Sequence, residues 1–238
     1  MILKMRDFFH LVGFAALATS LWMMIGCAGS NDNRTERQIQ NSDNQEPVAE
    51  SKEERKNILF FGNSLTAGLG LADEDQAFPE LIQRKIDSLD LPYHCINAGL
   101  SGETSAGGRE RIDWLMQQPL SVFVLELGAN DGLRGIPPSA TYENLEAIIL
   151  KVQAANPECK IILAGMKVPP SMGQAYFNEF ESIFTRLATR HDLALIPFLL
   201  EDIAGIEELN QSDGIHPTAE GQKIMANHVW SALEPLLD

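Results

Sequence analysis

The sequence has 238 residues and a formal net charge of −15. Such an acidic chain repels the phosphates of nucleic acid, which is therefore not an expected partner. Its three cysteines do not have the spacing of metal ligands, and we expect no metal and no cofactor.

The first 26 residues have the composition of a secretory signal peptide. Lys4 and Arg6 precede an apolar run, 8–25, which ends at Met24-Ile25-Gly26-Cys27. This ending resembles the lipobox of bacterial lipoproteins, in which the residue equivalent to Cys27 is lipidated and becomes the new N-terminus. The alternative is an uncleaved membrane anchor, because the run approaches the length that spans a bilayer.

The next segment, 27–55, begins with the expected lipidated cysteine and is predicted to be a disordered tether. It is rich in polar residues and too poor in apolar ones to fold. A flexible coil of roughly 28 residues reaches about 30 Å, which would hold a domain clear of a membrane. Ala28 replaces the acidic residue that is associated with inner-membrane retention in enteric bacteria. We therefore expect a lipid-anchored protein of the bacterial cell envelope, on the periplasmic face of the outer membrane or at the cell surface.

The remaining part, 56–238, suits one domain with a full hydrophobic core. Short apolar runs alternate there with helical patterns. In chain order the patterns predict strand 57–61, helix 78–89, strand 93–97, helix 105–116, strand 121–127, helix 142–155, strand 159–164, helix 177–191, strand 193–197 and helix 218–236.

Strands that alternate with helices predict an α/β fold of three layers, α/β/α, around a five-stranded parallel sheet. We expect the flavodoxin-like strand order 2-1-3-4-5, in which the loops after strands one, two and three lie side by side at the carboxyl edge, where ligands bind. Cys95 and Cys159 would then lie about 14 Å apart, too far for a disulfide. Both are expected to be buried free thiols.

These loops and one later segment carry the groups that a serine hydrolase needs. Ser64 follows strand one and is the candidate nucleophile, which requires a base to remove its proton. His216 is the candidate base, and Asp213 can accept from its second ring nitrogen. A phosphate-binding loop is the alternative for the serine motif, but its glycines do not fit G-x-G-x-x-G and no Lys-Ser/Thr follows.

A tetrahedral intermediate also needs donors for its oxyanion. The candidates are the backbone N–H groups of Ser64 and Gly99 and the side-chain amide of Asn130. Gly99 also fits a tight turn, and Asn130 could instead stabilise its own loop. We interpret Glu126, at the end of strand three, as a structural carboxylate that accepts hydrogen bonds from nearby backbone.

Four segments of the domain resemble the SGNH (GDSL-type) hydrolases, in the branch that contains bacterial thioesterase I, lysophospholipase and arylesterase. They are 62–68, 97–104, 126–135 and 213–217. The resemblance implies the 2-1-3-4-5 sheet and a Ser-His-Asp acyl-enzyme mechanism that acts on small acyl esters, thioesters or lysophospholipids without a metal. One position departs from the family, which usually has Asp where this chain has Asn63.

The resemblance further implies a substrate loop that closes over the site. Its residues are Asp131, Gly132, Leu133, Arg134, Gly135 and Ile136. We expect the two glycines to give the loop its freedom of movement, although Asp131 is interpreted mainly as a residue that stabilises the loop.

Two other functions stay open at this point. A carbohydrate acetyl-esterase has a related fold and would prefer acetyl groups. A non-catalytic binding lipoprotein would have kept the fold with Asn63 as the first sign of lost activity, but the intact Ser/Gly/Asn/His/Asp set argues against it. We expect a monomer.

Overall fold

The structure is a computed structural model that describes residues 55–237. The expected signal peptide, Cys27 and the tether therefore lie outside the described residues. In chain order the strands and α-helices are β1 Lys56–Gly62, α1 Ser64–Ala67, α2 Phe78–Ser88, β2 Tyr93–Gly99, α3 Ser105–Leu115, β3 Val122–Glu126, α4 Ala129–Leu133, α5 Pro138–Ala155, β4 Lys160–Ala164, α6 Gln174–His191, β5 Ala194–Ile196 and α7 Ala219–Leu233.

The five strands are parallel and follow the order β2-β1-β3-β4-β5, which confirms the predicted topology. Gly62 at the end of β1 is in register with Gly99 on one side and with Glu126 on the other. Three strand ends therefore stop at the same level. The loops that follow them begin next to one another, as the strand order requires.

The core lies on both faces of the central strands. Every residue of β3 is buried, as are the last five of β1, and this explains why both strands appear as continuous apolar runs in the sequence. Helices α2 and α7 pack against each other, while α3, α5 and α6 pack in series. The sheet lies between these two helical layers.

The structure differs from the sequence prediction at several places. Helix α5 begins at Pro138, four residues before the predicted start, because Pro138 occupies its first turn and Pro137 its N-cap. Helices α1 and α4 were not predicted. Cys95 is buried and Cys159 only partly so, and both are free thiols. Within 55–237, no helix combines the length and apolar character that crossing a bilayer would need.

Candidate active site

Ser64 is the first residue of α1, directly after the end of β1. Asn63 is the N-cap of this short helix, and its Oδ1 accepts from the N–H of Leu65 at 3.0 Å. Gly68, with φ of +71°, ends the helix after one turn. The serine is 8% exposed, and it lines the cleft described below.

The loop 210–217 carries the candidate base and its partner. An antiparallel bridge between Asn210 and Pro217 closes the loop, and the N–H of Gln211 donates to the carbonyl of His216 at 2.7 Å. The side chain of Gln211 also donates to the carbonyl of Leu69 at 2.7 Å. This contact joins the loop to the segment that follows the nucleophile.

The three candidate catalytic side chains form a continuous chain of hydrogen bonds. His216 Nε2 lies 2.8 Å from Ser64 Oγ, and His216 Nδ1 lies 2.7 Å from Asp213 Oδ2. Because a carboxylate only accepts, Nδ1 carries the proton and Nε2 is left to accept from the hydroxyl. Asp213 Oδ1 accepts the backbone N–H groups of Ile215 and His216. The bonds from the His216 side chain and from these N–H groups hold the pKa of Asp213 well below its usual range.

The candidate oxyanion donors lie at the ends of β1 and β2 and at the start of α4. The N–H of Gly99 donates to Asn97 Oδ1 at 3.0 Å, so this candidate donor is already paired within its own strand end, and Asn97 Nδ2 donates to the carbonyl of Thr66 at 3.1 Å. The side-chain amide of Asn130 donates one of its hydrogens to the carbonyl of Glu103 at 3.0 Å. A Cβ on Gly99 would lie 2.3 Å from the backbone nitrogen of Ala67, so only glycine fits there.

Glu126 is a buried anchor for the nucleophile turn and is 1% exposed. Its Oε1 accepts from Asn63 Nδ2 at 2.6 Å. Its Oε2 accepts from the N–H of Asn63 at 3.0 Å, from Thr66 Oγ1 at 2.8 Å and from the N–H of Thr66 at 3.3 Å. Burial raises the pKa of Glu126 to about 7, and the bonds from Thr66 and Asn63 act in the opposite direction. Asn63, the departure from the family pattern, is thus a hydrogen-bond donor to this carboxylate.

The predicted substrate loop is partly helical. Asp131 is 0% exposed, and its carboxylate accepts from the backbone N–H and the hydroxyl of Ser105. Gly132 is part of α4, and a Cβ there would lie 2.3 Å from a methyl carbon of Val168. The expectation that Gly132 gives the loop freedom is therefore wrong, because close packing is what requires glycine at that position. Gly135 does take a left-handed φ of +66°.

A cleft of about 750 Å³ opens beside Ser64 and His216. Leu133 is the residue of the predicted loop that lines it. Most of its other walls are apolar: Leu65, Ala129, Met166, Val168, Pro169, Phe177, Phe198, Leu200, Ala204 and Ile215. Lys167 adds one cation. The cleft can hold an apolar chain whose end lies next to the serine hydroxyl.

Sequence reasoning missed three polar residues that hold the site together. Glu103 and Arg111 form an ion pair, and the guanidinium also donates to the carbonyl of Ala98. Gln211 joins the His216 loop to the segment after α1. Glu103 lies inside segment 97–104, and this was the signal that the sequence offered for it. Among residues 55–237, no three His, Cys, Asp or Glu side chains come together as a metal-binding group.

Comparison with known proteins agrees with this geometry. Residues 60–224 match the GDSL-like Lipase/Acylhydrolase family. The chain is 37% identical over 181 residues to "Esterase TesA" of Pseudomonas aeruginosa, a match that covers 76% of this chain and 89% of the relative. It is 36% identical over 182 residues to "Thioesterase 1/protease 1/lysophospholipase L1" of Escherichia coli K12, covering 76% and 85%. A structure of the psychrotrophic esterase EstA from Pseudoalteromonas sp., inhibited by monoethylphosphonate, has a TM-score of 0.71 at 35% identity and covers 76% of this chain and 97% of that one.

Proposed function

Because the chain belongs to the GDSL-like lipase/acylhydrolase family and is a carboxylic ester hydrolase, we propose that Ser64, His216 and Asp213 carry its activity. The observation that supports this assignment is the unbroken contact from Asp213 through His216 to Ser64 Oγ, at 2.7 and 2.8 Å. These three residues come from opposite ends of the domain and meet at the carboxyl edge of the sheet.

The proposed reaction has two halves. Ser64 Oγ attacks the acyl carbonyl carbon while His216 Nε2 takes the hydroxyl proton, and Asp213 stabilises the imidazolium. His216 then gives the proton to the leaving oxygen or sulfur, which departs and leaves an acyl-enzyme. A water molecule repeats the sequence and releases the acid. The N–H of Ser64 and the amide of Asn130 stabilise the oxyanion in both halves, whereas the N–H of Gly99, predicted as a third donor, donates to Asn97 Oδ1.

The substrates we propose are acyl esters, thioesters, aryl esters or lysophospholipids with an apolar acyl chain. The apolar cleft beside Ser64 supports a chain longer than acetyl, since each buried methylene contributes about 0.8 kcal/mol to binding. p-Nitrophenyl esters of two, eight and sixteen carbons, together with the matching thioesters, test this. A preference for the acetyl ester would instead favour the carbohydrate acetyl-esterase alternative.

Substitution of the nucleophile tests the proposed activity. We expect Ser64→Ala to lower kcat on a p-nitrophenyl ester by about 10⁴-fold or more while the far-ultraviolet circular dichroism stays unchanged. A fluorophosphonate probe should label the wild type on the peptide that contains Ser64 and should not label this variant. Ser88→Ala, at an exposed serine of α2, is the control and should keep both activity and label. Wild-type turnover by Ser64→Ala would contradict the assignment.

We further propose that Cys27 is lipidated and anchors the domain at the cell envelope. The apolar run that ends at this cysteine supports the anchor. Incorporation of labelled palmitate into the wild type and its loss in Cys27→Ser, with the variant recovered in the soluble fraction, would support it. Equal labelling of the two proteins would refute it. The monomeric state stays a prediction, which sedimentation analysis of the detergent-solubilised protein can test.

A further inference from the structure

Arg134 bridges two of the loops that surround the candidate active site. It follows α4 as its C-cap, and its backbone N–H donates to the carbonyl of Asn130 at 3.2 Å. Its side chain reaches the loop between β2 and α3, where Nη2 donates to the carbonyl of Gly102 at 2.9 Å. Arg134 is exposed, whereas its neighbour Leu133 lines the cleft beside Ser64. Arg134 therefore lies at the mouth of this cleft.

Two neighbouring hydrogen bonds place the guanidinium close to the candidate oxyanion donor Asn130. The Asn130 amide, which lines the cleft, donates to the carbonyl of Glu103, and Arg134 donates to the carbonyl one residue earlier. Consecutive Cα atoms are about 3.8 Å apart, so the cation lies one step along the loop from that amide. Among the described residues, a Cβ on Gly102 would meet only Arg134 Nη2 within 4 Å, at 3.9 Å. The space beside the guanidinium is therefore open.

Arg134 does not pair with either carboxylate of these two loops. Glu103 forms its ion pair with Arg111. The carboxylate of Asp131 is 0% exposed and accepts from the N–H and the hydroxyl of Ser105. Within 55–237, the guanidinium of Arg134 forms one hydrogen bond and no ion pair. Its other N–H groups have no protein partner in that range and can bind a ligand.

A phosphate suits this group better than it suits the lysine of the cleft. Lys167 Nζ already lies 3.8 Å from carboxylate oxygens of both Glu181 and Glu201. A guanidinium presents its N–H groups as a planar fork that matches two oxygens of a phosphate. The geometry therefore favours Arg134 as the anion-binding cation of the site.

The strand order places this cation on the side of Ser64 away from the acyl cleft. In the order β2-β1-β3-β4-β5, Ser64 follows β1, and most apolar walls of the cleft lie in 166–169 and 198–204, after β4 and β5. The carbonyl that Arg134 contacts follows β2, on the other side. The acyl chain and the leaving group point apart at a trigonal carbonyl carbon. A chain in the cleft therefore directs the leaving group toward the guanidinium.

We propose that Arg134 is a specificity residue that binds the phosphate of a glycerophosphate leaving group. This role rests on the proposed function, since the leaving group departs as the Ser64 acyl-enzyme forms. In a 1-acyl-glycerol 3-phosphate, six bonds of about 1.5 Å join the acyl carbon to phosphorus, a reach of roughly 7 Å. A hydrogen bond of about 3 Å from the oxyanion to Asn130 and one loop residue of about 3.8 Å cover a similar distance. As the ester C–O bond breaks, glycerol 3-phosphate takes the proton from His216 and leaves.

The test compares two substrates that differ only in the phosphate. These are 1-octanoyl-glycerol 3-phosphate and 1-octanoyl-glycerol, both used below the concentration at which they aggregate. We expect Arg134→Gln to lower kcat/KM on the phosphate ester about tenfold more than on the neutral ester. The difference should lie mainly in KM, because the contact exists before and during the reaction. Arg134→Lys keeps the charge without the fork, so its loss should be smaller, and it serves if Arg134→Gln does not fold.

Arg109→Gln is the matched control for the loss of one positive charge. Arg109 is exposed on α3, and its substitution should leave the ratio of the two kcat/KM values within about twofold of the wild type. Octanoyl-coenzyme A distinguishes a second source of phosphate, because its nearest phosphate is more than twice as many bonds from the acyl carbon. Its hydrolysis should respond to Arg134→Gln as the neutral ester does.

Three results would overturn the inference. They are an equal loss on both octanoyl glycerols, a loss on octanoyl-coenzyme A as large as that on the glycerophosphate ester, and no hydrolysis of the glycerophosphate ester by the wild type. An equal loss would mean that Arg134 only supports its loop. In each case the inactivity of Ser64→Ala on a p-nitrophenyl ester would be unaffected, so the proposed function would stand without this role.

Discussion

Asn63 and Glu126 form a donor–acceptor pair that we predict can be exchanged. Glu126→Gln leaves one oxygen where there were two. If that oxygen keeps the three donors that now contact Oε2, the new amide nitrogen faces Asn63 Nδ2, which lies 2.6 Å from the present Oε1. The amide nitrogen of the new glutamine and Asn63 Nδ2 are both donors, so neither can accept from the other, and the side chain at position 126 is only 1% exposed to water. The lost charge-assisted bond and the unsatisfied buried donor should lower the free energy of unfolding by about 2–4 kcal/mol.

Asn63→Asp in the same protein should restore most of this loss. One oxygen of the new carboxylate can accept from the N–H of Leu65, as Asn63 Oδ1 does at 3.0 Å, and the other can accept from the amide at position 126. The double variant also carries the same net charge as the wild type. We expect its free energy of unfolding within about 1 kcal/mol of the wild type, and a favourable coupling of about 2 kcal/mol between the two substitutions.

Urea unfolding of all four proteins, followed by tryptophan fluorescence and far-ultraviolet circular dichroism, measures this cycle. It should be run at pH 8, above the pKa of about 7 to which burial raises Glu126. Glu110→Gln, at an exposed position of α3, controls for the loss of a carboxylate and should change stability by less than about 0.5 kcal/mol. A double variant no more stable than Glu126→Gln would refute the hydrogen-bond arrangement described for this pair.

Three further predictions concern the pH dependence of stability, the role of Asp213 and the space around Gly99. Because burial raises the pKa of Glu126 from 4.5 to about 7, protonation of this carboxyl adds stability to the folded state; that added part is complete below the unfolded pKa and is lost as the pH rises through about 7. Denaturant unfolding at pH 5 and pH 8 should show the wild type losing stability relative to Glu126→Gln as the pH rises, and parallel pH profiles would contradict this. Asp213→Asn should lower kcat by about 10²- to 10⁴-fold through loss of the correct His216 tautomer, and steady-state kinetics that match the wild type would exclude that role. Gly99→Ala should lower both the melting temperature and kcat, because the new Cβ would lie 2.3 Å from the nitrogen and 2.7 Å from the Cα of Ala67. An unchanged melting temperature would contradict this steric argument.

The sheet and its order could be predicted from sequence because the central strands are buried on both faces. Continuous apolar runs such as 121–127 have few other interpretations in an α/β chain. The predicted strand order implied that three strand ends lie together, and the register of Gly62 with Gly99 and Glu126 confirms this. Helix α4 was missed because two glycines in 128–132 indicate a loop, whereas in the structure Gly132 is required by its contact with Val168.

The supporting contacts of the site could not be predicted in the same way. Arg111 appears in the sequence as one more polar residue of an amphipathic helix, and nothing in its spacing indicates a contact with the carbonyl of Ala98. The same holds for Gln211, whose partner Leu69 is 142 positions away. Hydrogen bonds from side chains to distant backbone depend on the angle at which loops leave the sheet, and apolar periodicity does not encode that angle.

The hydroxyl of Ser64 and the imidazole of His216 are separated by 152 positions in the chain. A ribosome releases the serine long before the histidine, and contacts of such separation form late because their loops are costly to close. An unfinished polypeptide therefore carries a serine without its proposed base, and the proposed activity arises only when the last segment of the domain has folded into place.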